Sequence, residues 1–404
     1  MRARRHRGRA ASPTRRTPAQ HLTSRACSRG DDTNRIRMSL PVNSYDEFTA
    51  LRQVIVGDPH SYTSHDADSS FRLFYLDNVT PTAVTGGREL AIPARLVNEL
   101  EEDVEGFCIT LAEAGVQVLR PEPIIERTLI CSPWWSARET PPLNVRDQTI
   151  ILGDSIVETA PHIRGRLFEN DYLKPHFYRY LNAGSGWMSM PRPALARRSL
   201  DPSYFDGQDI DLAPILDDTD TRVLPGLGHE LIFDGAQCIR LGRDVLVNVA
   251  NTNHELGYTW LRRAFPALRF HRLDAIADSH IDSIVVPLRP GLLMLRSAEY
   301  LEALPEPLHS WDIVVPPEQG EDAFPDYSEF GFNLTSRHID INVLSVDEDT
   351  VIVNSLCPDL MRTLEKKGLT VIPVQHRHRR LFGGGFHCFT LDTVRAGGPE
   401  DYLG

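Results

Sequence analysis

The sequence lacks the closely spaced cysteines of a zinc site or a disulfide framework. Its six cysteines are far apart, and no two of them form a C-x-x-C pair. Structural zinc sites and small disulfide-rich domains both require such pairs. We therefore expect no metal, and a protein of the reducing cytoplasm.

Long apolar runs are also missing. No segment approaches the ~18 apolar residues that cross a bilayer. The N-terminus, in addition, has no apolar core of the kind that marks a secretory signal. A membrane partner is therefore not expected.

The N-terminal stretch differs in composition from everything after it. Residues 1–37 contain eleven Arg, no Lys and two Asp, without apolar periodicity. We expect a disordered basic extension over residues 1–37 and a single domain over residues 38–404. We interpret the extension as loose chain or as a misassigned start ahead of Met38; a nucleic-acid arm or a transit peptide is the alternative.

Positive charge is scarce in the remainder. Without residues 1–37, 32 basic and 53 acidic side chains remain, a formal charge of −21. A nucleic-acid partner is not expected, because a binding surface must neutralise phosphates. A cationic small molecule fits this charge better.

Four segments repeat a pattern of two short apolar stretches joined by a tight polar turn. They cover residues 149–157, 238–247, 284–295 and 343–353. Each predicts a β-hairpin, followed by a helix-like stretch and another strand. With the strand at 52–57, the helix at 96–114 and the strand after Cys388, about five such units result. Repeats of this kind pack around a pseudo-rotation axis.

Polar residues stand just before the first strand of each unit. They are Asp147, Asp234, His280 with Asp282, Ser336 with Asn342, and Cys388. Equivalent positions in rotational repeats face a common axis, so we expect these side chains to share one pocket. Singly, each has an ordinary explanation, such as a turn or cap residue, a surface histidine or a charge at a strand edge.

Three glycines, Gly383–Gly385, lead into the segment that holds Cys388. Glycine has no Cβ, so these residues can adopt positive φ and let backbone N–H groups approach a ligand. We interpret Cys388 as a nucleophile on a strand edge. The alternative is a glycine hinge before a buried structural thiol.

These residue types suit chemistry on a guanidinium group. Two ionised carboxylates can pair with its fork of N–H donors. A thiolate can attack the central carbon, while a histidine oriented by an aspartate moves protons. His280 and Asp282, two residues apart on a predicted strand, share a face and fit this pair. His387 would point to the opposite face from Cys388 and is not expected to be the base.

From about Asn43 onward, the chain resembles the arginine-dependent amidinotransferases, the family of glycine and inosamine-phosphate amidinotransferases. The motifs that carry the resemblance are Arg146-Asp147, Phe233-Asp234, His280-Ile281-Asp282, residues 286–291 and residues 383–388. The Val-Pro-Leu-Arg-Pro-Gly run at 286–291 is most similar to the inosamine-phosphate branch.

The resemblance implies an α/β fold, a five-bladed pseudo-symmetric propeller of the pentein type built from ββαβ units, without cofactor or metal. It implies Cys388 as nucleophile, His280 as general acid and then base, and Asp282 as the partner of His280. It further implies Asp147 and Asp234 as guanidinium ligands.

The resemblance also implies Ser336 at the α-carboxylate end of the donor. Glu299 stands where the family has an arginine for that carboxylate, and Arg296 or Arg337 is a substitute. Asn342 is assigned to the substrate site by its place before the fourth hairpin.

The expected function is transfer of the amidino group of L-arginine, through an amidino-cysteine, to an amine acceptor, with release of L-ornithine. The acceptor is expected to be an amino sugar, an amino acid or another amine of antibiotic or secondary metabolism. A guanidino-group hydrolase of the dihydrolase or deiminase type and a catalytically silent binding protein are the alternatives. The partners are small molecules, and a homodimer is compatible with the sequence.

Overall fold

The computed structural model of the protein describes residues 40–66, 68, 70, 71, 74, 89–196, 199–201, 229–327 and 333–404. The extension predicted for residues 1–37 lies outside them. The strands are β1 (Leu51–Val56), β2 (Ser64–Asp66), β3 (Glu89–Ala91), β4 (Gln117–Leu119), β5 (Leu129–Cys131), β6 (Ser136–Arg138), β7 (Thr149–Leu152), β8 (Ser155–Glu158), β9 (Gly186–Ser189), β10 (Cys238–Leu241), β11 (Asp244–Val249), β12 (Arg269–Asp274), β13 (Val285–Arg289), β14 (Leu292–Leu295), β15 (Asp312–Val314), β16 (Leu344–Ser345), β17 (Thr350–Asn354), β18 (Thr370–Val374) and β19 (Thr390–Arg395).

The α-helices are α1 (Ala94–Glu113), α2 (Val145–Gln148), α3 (Lys174–Asn182), α4 (Thr252–Ala264), α5 (Pro358–Lys366) and α6 (Arg379–Phe382). Short 3₁₀ turns complete the set, among them Gly235–Gln237 and Ile339–Ile341. Among the described residues, no helix is both long enough and apolar enough to cross a bilayer.

Five three-stranded sheets in the described residues share one topology. In strand order they are β19-β1-β4, β7-β8-β9, β10-β11-β12, β13-β14-β15 and β16-β17-β18. In each sheet the first two strands pair antiparallel and the third runs parallel to the second. The four predicted hairpins are thereby confirmed, and so is the α/β class. The arrangement of the units as five blades around one axis stays a prediction.

Glycine closes three of the four hairpins. Gly153, Gly242 and Gly291 occupy the turns with φ of +63°, +69° and +79°. Side chains with a Cβ rarely adopt this left-handed conformation, so glycine fits the turn at little cost. Because the turns are short, the first strand of each hairpin pairs closely with the second. The polar residues before the first strand therefore occupy equivalent positions in the hairpins.

The first and last strands of the domain belong to one sheet. β1 pairs antiparallel with β19, with Val54 opposite Asp392 and Ile55 opposite Leu391. Helix α1 then leads to β4, which is parallel to β1. Because β19 begins at Thr390, two residues after Cys388, this pairing holds the cysteine loop, residues 383–389, next to the N-terminal strand β1.

Helix α1 packs its apolar face against the cysteine loop. Its buried residues are Leu96, Val97, Leu100, Asp103, Val104, Phe107, Cys108 and Leu111, a helical spacing. They belong to the same core cluster as Phe386, Cys388 and Phe389, and the rings of Phe107 and Phe386 lie 4.8 Å apart. Each large apolar side chain buried here contributes about 1.5–3 kcal/mol. The cysteine loop is therefore held in place by its packing against helix α1.

Candidate active site

Cys388 lies in a turn, not on a strand. Residues 386–389 form the turn, and β19 begins only at Thr390. The amide of Phe389 donates to Gly385 O at 3.1 Å, and that of Thr390 donates to His387 O at 3.1 Å. These bonds fold the backbone back on itself ahead of the strand. The expected position on a strand edge is corrected to a turn that directly precedes a strand.

The glycines before this turn permit close packing. Gly383 has φ of +74° and ends α6. A Cβ on Gly384 would lie 2.2 Å from Asn144 Oδ1, and a Cβ on Gly385 would lie 2.7 Å from atoms of Asn342. No real Cβ contact is as short as 2.2 Å. The glycine run thus lets the cysteine turn approach two asparagines, and the approach of its N–H groups to a ligand stays a prediction.

Asn342 joins the cysteine turn to the segment before β13. Its Oδ1 accepts from the Cys388 amide at 2.9 Å, and its Nδ2 donates to Asp282 O at 3.2 Å. Asn342 was expected to bind substrate. In the structure both ends of its amide bond protein backbone, so that it positions Cys388 and Asp282 relative to each other, and its role in binding substrate stays a prediction.

The thiol of Cys388 contacts a carboxylate. Its Sγ–H donates to Asp282 Oδ2 at 3.3 Å, and His387 Nδ1 lies 2.8 Å from the same oxygen. Burial raises the pKa of the Cys388 thiol well above its ordinary value, and the charges of Asp282 and Asp147 raise it further. Burial also raises the pKa of Asp282, but His387 and His280 outweigh this and lower it to about 2. The resting thiol is therefore protonated beside an ionised carboxylate.

His280 pairs with Asp234 rather than with Asp282, which corrects the expected pairing. Its Nε2 lies 2.9 Å from Asp234 Oδ2, and its Nδ1 lies 3.8 Å from Asp147 Oδ1. The same-face rule for residues two apart holds on strands, but β13 starts at Val285 and Asp282 lies in a turn. Burial lowers the pKa of His280, whereas Asp147 and Asp234 raise it to about 9.

Asp234 is held from several sides. It caps the 3₁₀ turn Gly235–Gln237, with its amide donating to Gln237 Oε1 at 2.9 Å, so the ordinary capping explanation is also true. Its Oδ1 accepts from Gln148 Nε2 at 3.2 Å. Burial raises the pKa of Asp234, but His162 and His280 lower it far more, and the carboxylate remains ionised.

Two histidines behind Asp234 were not expected from the sequence. His162 Nδ1 lies 3.0 Å from Asp234 Oδ2, and His162 Nε2 lies 2.8 Å from His254 Nε2. Burial and His162 lower the pKa of His254 well below its ordinary value. His162 follows the second hairpin strand and His254 starts a helix, so no spacing in the sequence connects them.

Asp147 is fixed by an arginine that sequence reasoning also missed. Its Oδ2 accepts from Arg166 Nη1 at 2.6 Å, and Arg166 in turn pairs with Glu169 at 2.5 Å. The other oxygen, Oδ1, is buried and accepts no hydrogen bond from the described residues. Burial raises the pKa of Asp147, which Arg166 and His280 partly offset. One acceptor atom thus remains for a cationic ligand.

Arg296 bonds Ser283, the residue that follows Asp282 in the sequence. Its Nε and Nη2 donate to the carbonyl and hydroxyl of Ser283 at 3.0 and 3.1 Å. Burial lowers the pKa of Arg296, and Tyr300 and Asp282 raise it in part. Arg337, the other expected substitute, faces Glu318 at 3.5 Å near the surface.

Ser336 and Glu299 are exposed residues. The hydroxyl of Ser336 accepts from the His338 amide at 3.3 Å, so this side chain is engaged locally. Glu299 lies in the short 3₁₀ segment Ala298–Ala303. The role of Ser336 at a donor carboxylate stays a prediction.

A buried ion network lies beneath the cysteine turn. It consists of Glu47, Arg146, Arg240, Asp392 and Arg395. Arg240 Nη2 lies 2.7 Å from both Glu47 Oε2 and Asp392 Oδ2, and Arg146 Nε donates to His387 O at 3.0 Å. Burial raises the pKa of each carboxylate, but the arginines hold both pKa values well below the ordinary range.

Metal ligation is not a feature of the described residues. They contain no group of three or more His, Cys, Asp or Glu side chains arranged to hold an ion. They do contain three carboxylates around His280 and Cys388, those of Asp147, Asp234 and Asp282. We call these three the carboxylate cluster. Each of the three influences the pKa of His280, and two influence that of Cys388. Such a cluster can bind a planar cation and hold it beside a thiol.

Comparison with known proteins points to one enzyme family. Inosamine-phosphate amidinotransferase 1 of Streptomyces griseus is 33% identical over 367 residues, 89% of this chain and 98% of that protein. L-arginine:L-lysine amidinotransferase of Pseudomonas savastanoi pv. phaseolicola is 30% identical over 376 residues, 90% and 97% of the two chains. The solved structure of inosamine-phosphate amidinotransferase StrB1 from Streptomyces griseus superposes with a TM-score of 0.75 at 31% identity, covering 90% and 99%. No family model matches the chain.

Proposed function

The chain belongs to the amidinotransferases, which are transferases, and we propose that it moves the amidino group of L-arginine to an amine acceptor and releases L-ornithine. The observation that carries the proposal is the contact of the Cys388 thiol with Asp282, inside a cluster of three carboxylates and His280. The name of the arginine:lysine relative supports arginine as the donor.

The carboxylate cluster binds the guanidinium group in this proposal. Asp147 Oδ1 is a buried acceptor that no described residue uses, and Asp282 Oδ2 already accepts from the thiol. A guanidinium group between these two carboxylates directs its N–H donors at both and its central carbon at Cys388. Asp234 is assigned instead to His280, because the two side chains are in contact. Arg296 is the candidate for the donor's α-carboxylate, because it lies next to Asp282.

The first half-reaction forms the amidino-cysteine. The positive charge of bound arginine favours transfer of the thiol proton to solvent by way of Asp282, which accepts the hydrogen bond of the thiol, and the resulting thiolate attacks the guanidinium carbon. The bond between that carbon and the δ-nitrogen of the donor then breaks. His280, protonated because its pKa is raised to about 9, gives its proton to this nitrogen, and ornithine leaves.

The second half-reaction reverses these roles. Neutral His280 accepts a proton from the acceptor amine, whose nitrogen attacks the amidino carbon. The carbon–sulfur bond breaks, the product leaves with the amidino group, and the thiolate of Cys388 takes up a proton from solvent, which restores the resting thiol. Asp234 remains ionised throughout and stabilises the imidazolium each time it forms. The acceptor we propose is a specialised-metabolite amine, with amino sugars first, since two inosamine-phosphate relatives rank among the similar proteins.

Incubation with arginine labelled in the guanidine carbon tests the proposal. We expect label on the Cys388 peptide, ornithine in solution, and a labelled product only when a suitable amine is present. Cys388→Ala should abolish both the adduct and ornithine release, whereas Cys131→Ala, a matched change at an exposed cysteine, should not. Urea formed at one rate whatever amine is added would instead favour the hydrolase alternative.

A further inference from the structure

His387, the residue before Cys388, lies between two carboxylates. Its Nδ1 is 2.8 Å from Asp282 Oδ2 and its Nε2 is 3.2 Å from Glu47 Oε2. The side chain is buried, with 7% of its surface exposed. Both ring nitrogens are therefore within hydrogen-bond distance of carboxylate oxygens, in a place with little water to screen charge.

A neutral imidazole does not fit this geometry. It has one N–H donor and one nitrogen with a lone pair, and the lone pair would face an oxygen that also carries lone pairs. Burial raises the pKa of Glu47, but Arg240 and Arg146 hold it well below its ordinary range, and Asp282 Oδ2 acts as an acceptor because the Cys388 thiol donates to it. An ionised carboxylate only accepts hydrogen bonds. Each of the two nitrogens must then donate.

We propose that His387 is a permanently protonated imidazolium, a positioning residue that balances the charge of Asp282 and serves as the built-in counter-ion of the Cys388 thiolate. The role in catalysis rests on Cys388 being the nucleophile, as proposed above. The charge state of His387 does not, because it follows from its own two contacts.

The charges around His387 connect its protonation with formation of the Cys388 thiolate. Glu47, Asp392 and Asp282 supply three negative charges. Arg146, Arg240 and Arg395 supply three positive ones, so these groups balance without His387. Protonated His387 adds one positive charge, and that charge lies in direct contact with the carboxylate that accepts the thiol proton. A thiolate on Cys388 restores the balance.

Two hydrogen bonds to described residues fix the backbone of His387. Arg146 Nε donates to its carbonyl at 3.0 Å, and its own amide donates to Asn342 O at 3.4 Å. Asn342 also holds Asp282 and Cys388. Asn342 and Arg146 thus fix the relative positions of the His387, Asp282 and Cys388 backbone segments.

Nitrogen NMR of protein labelled with ¹⁵N-histidine measures the protonation directly. We expect both ring nitrogens of His387 to have the shift of a protonated nitrogen at pH 7.5, with the signals assigned by their loss in His387→Gln. His376 is the internal reference for a neutral ring, because burial lowers its pKa to about 4. An unprotonated nitrogen in His387 at this pH overturns the proposal.

The pH dependence of Cys388 alkylation measures the effect on the thiol without any substrate. Iodoacetamide labelling is followed on the Cys388 peptide by mass spectrometry. His387→Gln keeps a side chain that can donate one hydrogen bond but removes the charge, so the half-maximal rate should move upward by about one pH unit or more. An unchanged midpoint overturns the counter-ion role.

His376→Gln is the matched control, because His376 also contacts this loop, donating from Nε2 to Gly384 O at 2.9 Å, but is neutral. It should leave the alkylation midpoint in place; an equal shift in this variant would mean that the loop has merely loosened, and would overturn the proposal.

If His387→Gln does not fold, neutron diffraction from crystals of the unsubstituted protein locates the hydrogens. One hydrogen on each nitrogen supports the proposal, and a bare nitrogen refutes it. None of these three measurements involves arginine, so failure of the proposed function is recognised separately.

Discussion

His280 is paired with Asp234, with 2.9 Å between Nε2 and Oδ2. Asp282, which is closer in sequence, contacts the thiol of Cys388 instead. The three carboxylates of the cluster therefore contact different groups. Asp234 contacts the histidine, and in the proposed function Asp147 and Asp282 bind the cation.

Substituting Asp234 should affect catalysis more than binding. Asp234→Asn keeps the cap of the 3₁₀ turn, since Asn caps nearly as well as Asp, but removes the charge that stabilises protonated His280. We expect kcat to fall about 10²–10⁴-fold, with a modest change in KM, and the pH limit of the first half-reaction to move downward. Ornithine release against pH is the measurement. Asp274→Asn, at an exposed position, is the control; near-normal kcat in Asp234→Asn would contradict the assignment.

Substituting Asp147 should weaken the donor site. Asp147→Asn replaces one acceptor oxygen by an N–H donor that faces the N–H donors of guanidinium. A loss of roughly 2–4 kcal/mol, or about thirty- to a thousand-fold in kcat/KM, is expected, with a raised KM for arginine. Initial rates over a range of arginine concentrations measure it, and a thermal melt checks the fold. Unchanged KM would remove Asp147 from the donor site.

Titration of His280 should influence both activity and stability. The pKa of His280 is raised from its ordinary 6.5 to about 9, so the folded protein holds a proton that the unfolded chain has lost between these values. This stabilisation is complete below about pH 6.5 and disappears as pH rises through about 9. Ornithine release should fall over the upper part of the same range. Urea unfolding at several pH values, compared between the parent and His280→Gln, should show a weaker alkaline loss in the variant.

Breaking the ion network should destabilise the domain. Arg146→Met leaves Glu47 and Asp392 short of one buried cation, which typically costs about 3–5 kcal/mol. Lys367→Met is the control, because Lys367 pairs with Asp312 at 2.7 Å on the surface, where such pairs contribute about 0–1 kcal/mol. Denaturant melts measure the free energy of unfolding of the two variants, which should be lowered much more by Arg146→Met than by Lys367→Met. Equal stabilities would mean that the network is not essential to the fold.

Adding a methyl group at Gly384 should disturb the cysteine turn. Its Cβ would lie 2.2 Å from Asn144 Oδ1, so backbone or side chain must shift, at about 1–3 kcal/mol. Gly106→Ala is the opposite case, because a Cβ there meets nothing within 4 Å on a helix and should stabilise by about 0.4–1 kcal/mol. Thermal melts and ornithine release of both variants test this. A Gly384→Ala protein as stable and active as the parent would show that the close approach is unnecessary.

The sequence by itself determined the repeated unit and the family. Alternating apolar runs with polar turns predicted four hairpins to within a few residues, and the helix at 96–114 matches α1. These features are local, because strand and helix periodicity and turn residues act over short stretches of chain. The residues before each hairpin were identified in the same way, and the resemblance rested on the same motifs.

Tertiary structure alone decided which of these residues touch. His280 and Asp282 seemed a pair because they are two apart, but Asp282 lies in a turn, and Asp234, 46 residues earlier, takes its place. The contacts of His162 with Asp234, Arg166 with Asp147 and His387 with Glu47 join residues that are 72, 19 and 340 positions apart. Charge pairing in a buried site depends on distances across sheets, and the order of residues along the chain does not contain them. It is the packing of the repeated units that brings these separate acidic residues together, with Asp234 on His280, Asp147 on Arg166 and Asp282 on His387.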